Sequence, residues 1–338
     1  MRENEIRPKV FAAEQRVVML QDVGRLLTRR AEFVEVACPA CAAERRTVKF
    51  DKYGLNYREC AVCRTVYVSP RPSPAVLEWF YGGSLNYAYW NQHIFPASES
   101  ARRTKIFVPR VNRFLELCGR HGVAIGSLLE VGAGFGTFCA ELMSRHAFQR
   151  ILAIEPTPEL AAHCRSRGIQ TIAKPFEEVE FGTGERFDAV VCFEVLEHLF
   201  SPEAFVRRVQ SVLAENGLFV ATCPNVLGFD ILTLGRLSDS VDAEHLNYFH
   251  PGSLATLLAR CGFEVLEVVT PGALDAELVR KKALNGEVSL DGQPWLKRIL
   301  VDEWERVGGA FQAFLAENGL SSHMWACARR GAGEAARA

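Results

Sequence analysis

The chain has no surplus of either charge: 39 lysines and arginines face 40 aspartates and glutamates, for a net charge of −1. A binder of polyanions normally carries a basic surplus or stripe, so no nucleic-acid partner is expected. Long apolar runs are missing too. None approaches the ~18 residues of a spanning helix, and charges punctuate the first twenty residues where a secretory signal would have its apolar core. No membrane association is expected, and the chain reads as cytoplasmic. Thiols stay reduced in that compartment, so the 11 cysteines are not a disulfide framework. Repeats and low-complexity tracts are absent, apart from an Ala/Gly/Arg tail at 331–338 that is expected to be disordered.

What is present is a globular composition, 49% hydrophobic and 23% charged, over 338 residues. That length favours one large domain with a small one appended. We expect an N-terminal helix and a cysteine module over 1–75. An aromatic-rich connector and helix follow over 76–120, open to a substrate-lid role, with SPRPSP (69–74) as a stiff lead-in. Over 121–330 short apolar runs alternate with helical stretches, as in a parallel sheet covered by helices. Seven strands are predicted: Leu128–Val131, Ile151–Glu155, Ile169–Ile172, Ala189–Phe193, Leu218–Thr222, Phe263–Val269 and His323–Ala328. A stretch rich in helix formers, 273–320, inserts before the last strand; a lid or a homodimer contact are its two readings.

The strongest signal is SLLEVGAGFGTF (127–138), an apolar strand running through Gly132, Gly134 and Gly136 into a helix. Side chains at such a turn would keep the backbone away from a ligand, and some positions need φ > 0. Nicotinamide and flavin enzymes use a related turn, but their third glycine would fall at 137, which is threonine here. Acidic Glu130 precedes the turn. Glu155 ends the next strand, where it can accept hydrogen bonds from ribose hydroxyls. With these features the region 115–330 resembles the class I S-adenosylmethionine-dependent methyltransferases. The resemblance implies an α/β fold, a Rossmann-like sheet of seven strands, with S-adenosylmethionine as cofactor. It also implies that Phe176 and Glu177 of KPFEEV contact adenine. Phe193 and Glu194 of FDAVVCFEVLEHLFSP would then lie beside the methionine part. VLAENGLFVATCPN and SSHMWACARR resemble the family's fifth and seventh strands.

Cys38-Pro-Ala-Cys41 and Cys60-Ala-Val-Cys63 lie 18 residues apart, a spacing that suits a tetrahedral zinc. The intervening segment can be a β-hairpin that brings the two knuckles together. Four cysteine ligands leave no position for water, so such a zinc is structural; free thiols and an iron–sulfur site are the other readings. Some bacterial methyltransferases of sugar and glycan pathways begin with a similar zinc ribbon, followed by a connector like SPRPSPAVLEWFYGG. That resemblance implies that this region helps form a sugar site.

Methyl transfer depends mostly on positioning, worth up to ~7–11 kcal/mol, and a placed base adds ~10²–10⁴-fold for a hydroxyl acceptor. Imidazole is the side chain suited to that task near neutrality. DAEHLNYFHPGSL (242–254) resembles the E-H-x-x-Y-F segment of deoxysugar C-methyltransferases, in which a glutamate–histidine pair deprotonates the sugar. Glu244 and His245 match the pair, while Asp242 stands where that family has a tyrosine. His245 is therefore the first candidate base, with helix capping or loop ordering as its alternative; His198 in EVLEHL is the second. His323 is expected to be structural, and Tyr87 and Tyr89 belong either to a pocket wall or to the core. The expected function is methylation of a hydroxyl on a sugar, nucleotide-linked or in a glycan. EVLEHL also resembles the ubiquinone-pathway methyltransferases, so a small phenolic or quinone acceptor is the alternative. Sugar C- or N-methylation, RNA modification and a non-catalytic donor-binding protein are further readings. Against RNA, the fourth strand ends in CFEV and lacks the Asn/Asp-Pro-Pro-aromatic motif of exocyclic-amine methyltransferases.

Overall fold

The computed structural model describes residues 2–331; the remainder of the tail at 331–338 lies outside them. The chain divides into two compact units, neither continuous in sequence. One comprises Ser100–Cys223, Leu254–Val268 and the chain from Trp325 onward; the other comprises the chain up to Glu99, Pro224–Ser253 and Val269–Met324.

The first unit is a sheet with helices. Its strands are β1 (Ser127–Val131), β2 (Arg150–Ile154), β3 (Gln170–Ile172), β4 (Phe187–Phe193), β5 (Leu213–Pro224), β6 (Phe263–Val269) and β7 (His323–Arg330). They form one seven-stranded sheet in the order β6-β7-β5-β4-β1-β2-β3. This is the Rossmann-like methyltransferase architecture expected from the sequence. Leu128, Leu129, Val190, Val191, Val220 and Ala221 are fully buried, the near-continuous apolar pattern of strands covered on both faces. Strand β5 starts five residues before its predicted Leu218. Leu213 already pairs with Phe187, and the chain bulges, with Asn216 left-handed, before the register resumes at Leu218.

Parallel pairing sets Val131 opposite Ile154 and Cys192, and Phe193 opposite Thr222. The carboxyl ends of β1, β2, β4 and β5 therefore line up along one edge. The helix expected toward the end of 76–120 is observed as Phe95–Arg102 and Val108–Arg120 with a wider turn between them. Pro109 sits in the first turn of the second piece, where its missing N–H costs nothing.

The second unit is built on a four-stranded sheet with Arg46–Lys52, Leu55–Cys60 and Val66–Val68 in sequence order. The hairpin expected between the cysteine pairs is its first two strands. Tyr53 and Gly54 make the two-residue turn, both left-handed (φ 53° and 73°) as a tight hairpin turn requires. The fourth strand, Asn247–Tyr248, comes from far along the chain and pairs with Val66 and Tyr67. The Phe33–Val34 strand pairs with Arg71 and Pro72 of the proline-rich connector. The 273–320 stretch is helical as expected, with Asp275–Leu284 and Trp304–Glu317 burying Ala276, Val279 and Leu315 against Leu234 and Leu300. Among the described residues no helix is long and apolar enough to cross a membrane.

Arg71 ties this sheet to its late strand. Its guanidinium is 1% exposed and donates to the Val68 carbonyl (3.0 Å) and the Leu246 carbonyl (3.3 Å). Replacing it by an apolar side chain removes both charged donors, leaving the Leu246 carbonyl only the Val68 N–H at 3.0 Å. Arg71→Met should cost roughly 3 kcal/mol of unfolding free energy, since a hydrogen bond to a charged group contributes about 1.5–3 kcal/mol. Urea denaturation monitors it, and a change below about 1 kcal/mol would contradict this account.

Candidate functional site

The glycine turn begins where β1 ends. Gly132, Gly134 and Gly136 are all left-handed, at φ 77°, 56° and 68°. They are not interchangeable. A Cβ on Gly132 would stand 2.8 Å from Val195, and one on Gly136 would stand 2.6 Å from Ile169 and 2.9 Å from the Cys164 sulfur. A Cβ on Gly134 would meet nothing within 4 Å. The outer glycines let the turn pack against its own unit, and the middle one faces open space, as a ligand cradle requires. The turn is tied down by the Gly132 N–H, which donates to the Ile154 carbonyl at 2.8 Å.

Two buried carboxyl groups flank this turn. Glu155, just past β2, accepts the Gly134 N–H at 2.7 Å and the Thr157 N–H at 2.9 Å. Burial raises its pKa, and these two backbone donors oppose the rise. Glu130 accepts the Cys139 thiol at 2.8 Å, and burial pushes it up to about 8. The edge continues past β4. The Phe193 ring packs on Phe138, with centroids 4.7 Å apart. Glu194 is exposed and left-handed (φ 56°), and its carboxylate accepts the Thr222 hydroxyl at 2.6 Å. Phe176 is buried against Phe205 with the Arg208 guanidinium over its ring, while Glu177 beside it is exposed. His198 lies in the turn after β4, its N–H donating to the Val195 carbonyl.

Arg110 was not anticipated. Its guanidinium stacks over the Phe193 ring at 4.4 Å and stands 3.8 Å from a Glu194 oxygen. Burial lowers its pKa, and the charges of Glu194, Glu130 and Glu197 counter the shift. A half-buried cation at the carboxyl edge of a sheet is suited to hold an anionic group there. The clue was available: Arg110 precedes Phe114 by four residues and Leu117 by seven, on the buried stripe of its helix.

The other candidates lie in the second unit. His245 Nδ1 is 3.1 Å from the Ser240 carbonyl and 3.3 Å from an Asp242 oxygen. A carbonyl only accepts, so Nδ1 carries the proton and Nε2 carries the lone pair. The other Asp242 oxygen accepts the N–H groups of Glu244 (2.9 Å) and His245 (2.8 Å). Asp242 thus shapes the loop and orients the ring at once, a role the sequence comparison did not suggest. Glu244 accepts the Asn86 amide at 2.6 Å, and burial, with Asp242 and Asp22 nearby, pushes it up to about 7. The Tyr57 hydroxyl, from the cysteine hairpin, donates to the Asp242 carbonyl at 2.6 Å. Tyr89 donates to Glu14 and its ring lies against His93; Tyr87 is exposed with its ring edge-on to Tyr81. His323 opens β7 and is half-buried.

Cys38, Cys41, Cys60 and Cys63 come together, all free thiols with sulfurs within 4.8 Å of one another. Cys38–Cys63 and Cys41–Cys60 are each 3.5 Å apart. Each pair forms a knuckle closed by the same two backbone bonds. The Ala42 N–H returns to the Cys38 carbonyl and the Arg64 N–H to the Cys60 carbonyl; both residues are left-handed. A tetrahedral site with Zn–S of about 2.3 Å spaces its sulfurs by about 3.8 Å, so the four thiols fit a zinc ion. His250 Nε2 lies 2.6 Å from the Cys63 carbonyl, joining the second knuckle to the segment just past the late strand.

Comparisons with known proteins agree with this geometry. Residues 99–268 match a methyltransferase-domain family. The chain is similar to the C-methyltransferase NovU of Streptomyces niveus, 28% identical over 172 residues, 48% of this chain and 39% of that protein. It is also similar to the ubiquinone biosynthesis O-methyltransferase of Xanthomonas axonopodis pv. citri, 30% identical over 154 residues, 42% of this chain and 64% of that protein. The match thus spans well under half of the first relative's length and just under two thirds of the second's. Among solved structures it is similar to an S-adenosylmethionine-dependent methyltransferase from Clostridium acetobutylicum ATCC 824. The TM-score there is 0.47 at 12% identity, covering 71% of this chain and 97% of the other.

The thiol cluster yields a direct test. Elemental analysis of purified protein should find one zinc per chain. Cys41→Ser should lose the metal and lower the melting temperature, because small modules of this kind take their folding energy from the ion. Unchanged zinc content and melting temperature in that variant would rule out the four-thiol site.

Proposed function

The chain belongs to the methyltransferase-domain family, and on that premise we propose that it transfers the methyl group of S-adenosylmethionine to a sugar hydroxyl, nucleotide-linked or within a glycan. When bound, the donor supplies an electrophilic methyl group on a sulfonium. The glycine turn at 132–136 cradles it, with Gly134 giving the room. Glu155 accepts the ribose hydroxyls, while Phe176 and Glu177 border the adenine. Phe193 and Glu194 border the methionine part, and the Arg110 guanidinium is the charge complement of that part's carboxylate. Glu130 holds the start of the following helix through Cys139. The four cysteines hold a structural zinc, far too fully ligated for catalysis.

The observation that supports the acceptor assignment is the seat of the His245 ring, with Nδ1 at the Ser240 carbonyl and beside Asp242. With Nδ1–H committed to the Ser240 carbonyl and faced by Asp242, Nε2 is the basic nitrogen. A sugar hydroxyl is too weakly acidic to react as the neutral alcohol at a useful rate, so Nε2 would take its proton, and the bound donor would supply the methyl group and leave as S-adenosylhomocysteine. Asp242 stabilises the imidazolium that results. Glu244 orients the acceptor beside His245, and His198 is the second candidate for the base. A phenolic acceptor, as the ubiquinone-pathway relative suggests, ionises more readily and needs such a base less.

Two outcomes are expected. Calorimetry should detect binding of S-adenosylhomocysteine, and Glu155→Ala should weaken it by about 1.5–3 kcal/mol, the contribution of a charged hydrogen-bonding group. Tight binding of NADH with none of S-adenosylhomocysteine would overturn the reading. With a productive acceptor from a panel of nucleotide sugars and phenols, His245→Ala should lower turnover by ~10²-fold or more while donor affinity stays at the wild-type value. Wild-type turnover in that variant would assign His245 to loop structure and move the test to His198.

A further inference from the structure

Lys52 closes the first strand of the cysteine hairpin, directly before the left-handed Tyr53–Gly54 turn. Its ammonium lies 4.9 Å from the centre of the Tyr53 ring and donates a hydrogen bond of 2.8 Å to the Ser238 carbonyl. An ammonium has three donors, and no carboxylate pairs with this one among the described residues. The two acids near it are engaged elsewhere. Asp239 is held by the buried Lys282 ammonium at 2.8 Å, and Asp242 by the N–H groups of Glu244 and His245 and by the His245 ring.

A second cation acts on the same group. Arg16, exposed on the Ala12–Thr28 helix, acts electrostatically on both Lys52 and Tyr53. It makes no hydrogen bond or ion pair among the described residues. A half-buried cation without a counter-ion is unfavourable, and a second one beside it makes matters worse. Burial lowers the Lys52 ammonium to about 8, with Lys282 and Arg16 adding to the effect against Asp239 and Asp242. An anion that accepted from both side chains would relieve this. The planar fork of a guanidinium together with a point-like ammonium matches the oxygens of a phosphate group. The location says which molecule would carry it. Ser238 lies two residues before Ser240, whose carbonyl holds the His245 ring, so the anion would sit on the loop that bears the base.

We propose that Lys52 and Arg16 form a subsite for a phosphate-class anion carried by the acceptor, held on the same 238–245 loop as His245. The inference rests on the methyltransferase reading for its assignment to the acceptor, and it narrows that acceptor to a phosphate-bearing sugar.

Calorimetric titration of the full chain with inorganic pyrophosphate, uridine diphosphate and glucose 1-phosphate tests it. At least one should bind saturably. Lys52→Met should weaken that binding ~10-fold or more, the equivalent of one charge-assisted hydrogen bond, and Lys52→Arg should restore most of it. Arg16→Gln changes an exposed position that does not endanger folding, and it should weaken binding severalfold. Preference for uridine diphosphate identifies a nucleotide-linked sugar, and preference for glucose 1-phosphate a simple sugar phosphate; either supports the subsite. Absence of saturable binding by all three, or wild-type affinity in both Lys52→Met and Arg16→Gln, overturns it. Titrating the same samples with S-adenosylhomocysteine reports separately on the donor reading, and all three variants should keep that affinity.

Discussion

Three left-handed residues within five positions are the constraint from which the donor side follows. Only glycine occupies that region without a steric penalty, so β1 runs into a turn that other residues would make only under strain. Once the turn closes, the Gly134 N–H points at the Glu155 carboxylate and the following helix, Thr137–Ser144, starts directly after Gly136. Parallel pairing does the rest. Because Val131, Ile154 and Phe193 end in step, every residue that follows a strand end, Gly132, Glu155 and Glu194 among them, emerges at one edge of the sheet.

The second unit is organised around a different constraint, the closure of a small sheet that has little core of its own. Its fourth strand is borrowed from residues 247–248, and the borrowed strand carries the loop of Asp242, Glu244 and His245 with it. Tyr57 and Arg71 donate to carbonyls of that segment, and His250 reaches the second cysteine knuckle. The cysteine cluster is therefore mechanically part of the frame for the proposed base. Zinc in that cluster would stiffen the frame without meeting the reactants.

Buried charge is concentrated where the proposed chemistry needs it. Arg110 over Phe193, Glu130 and Glu155 beside the turn, and Glu244 under Asn86 are each costly to bury. The donor-side acids are held by backbone and thiol donors, and Arg110 by an aromatic face and the acids around it. Such arrangements are common at functional sites, where a ligand later completes the shell.

The sequence by itself determined the elements whose signals are local. The strand periods, the glycine turn, the acid after the second strand and the two cysteine knuckles all depend on residues within about twenty positions of one another, and all were legible. The hairpin between the knuckles followed from the same local logic. What only the tertiary structure decided is long-range. Nothing in EHLNYF announces that Asn247 and Tyr248 will pair with Val66 and Tyr67, because strand pairing is set by exposed edges and not by neighbours in sequence. Asp242 read as a mismatch to the sugar-methyltransferase pattern until its two oxygens were seen to serve the loop amides and the His245 ring. Arg110 was not singled out in the sequence; its stacking over Phe193 made it a site residue, and that contact is a property of the packed chain.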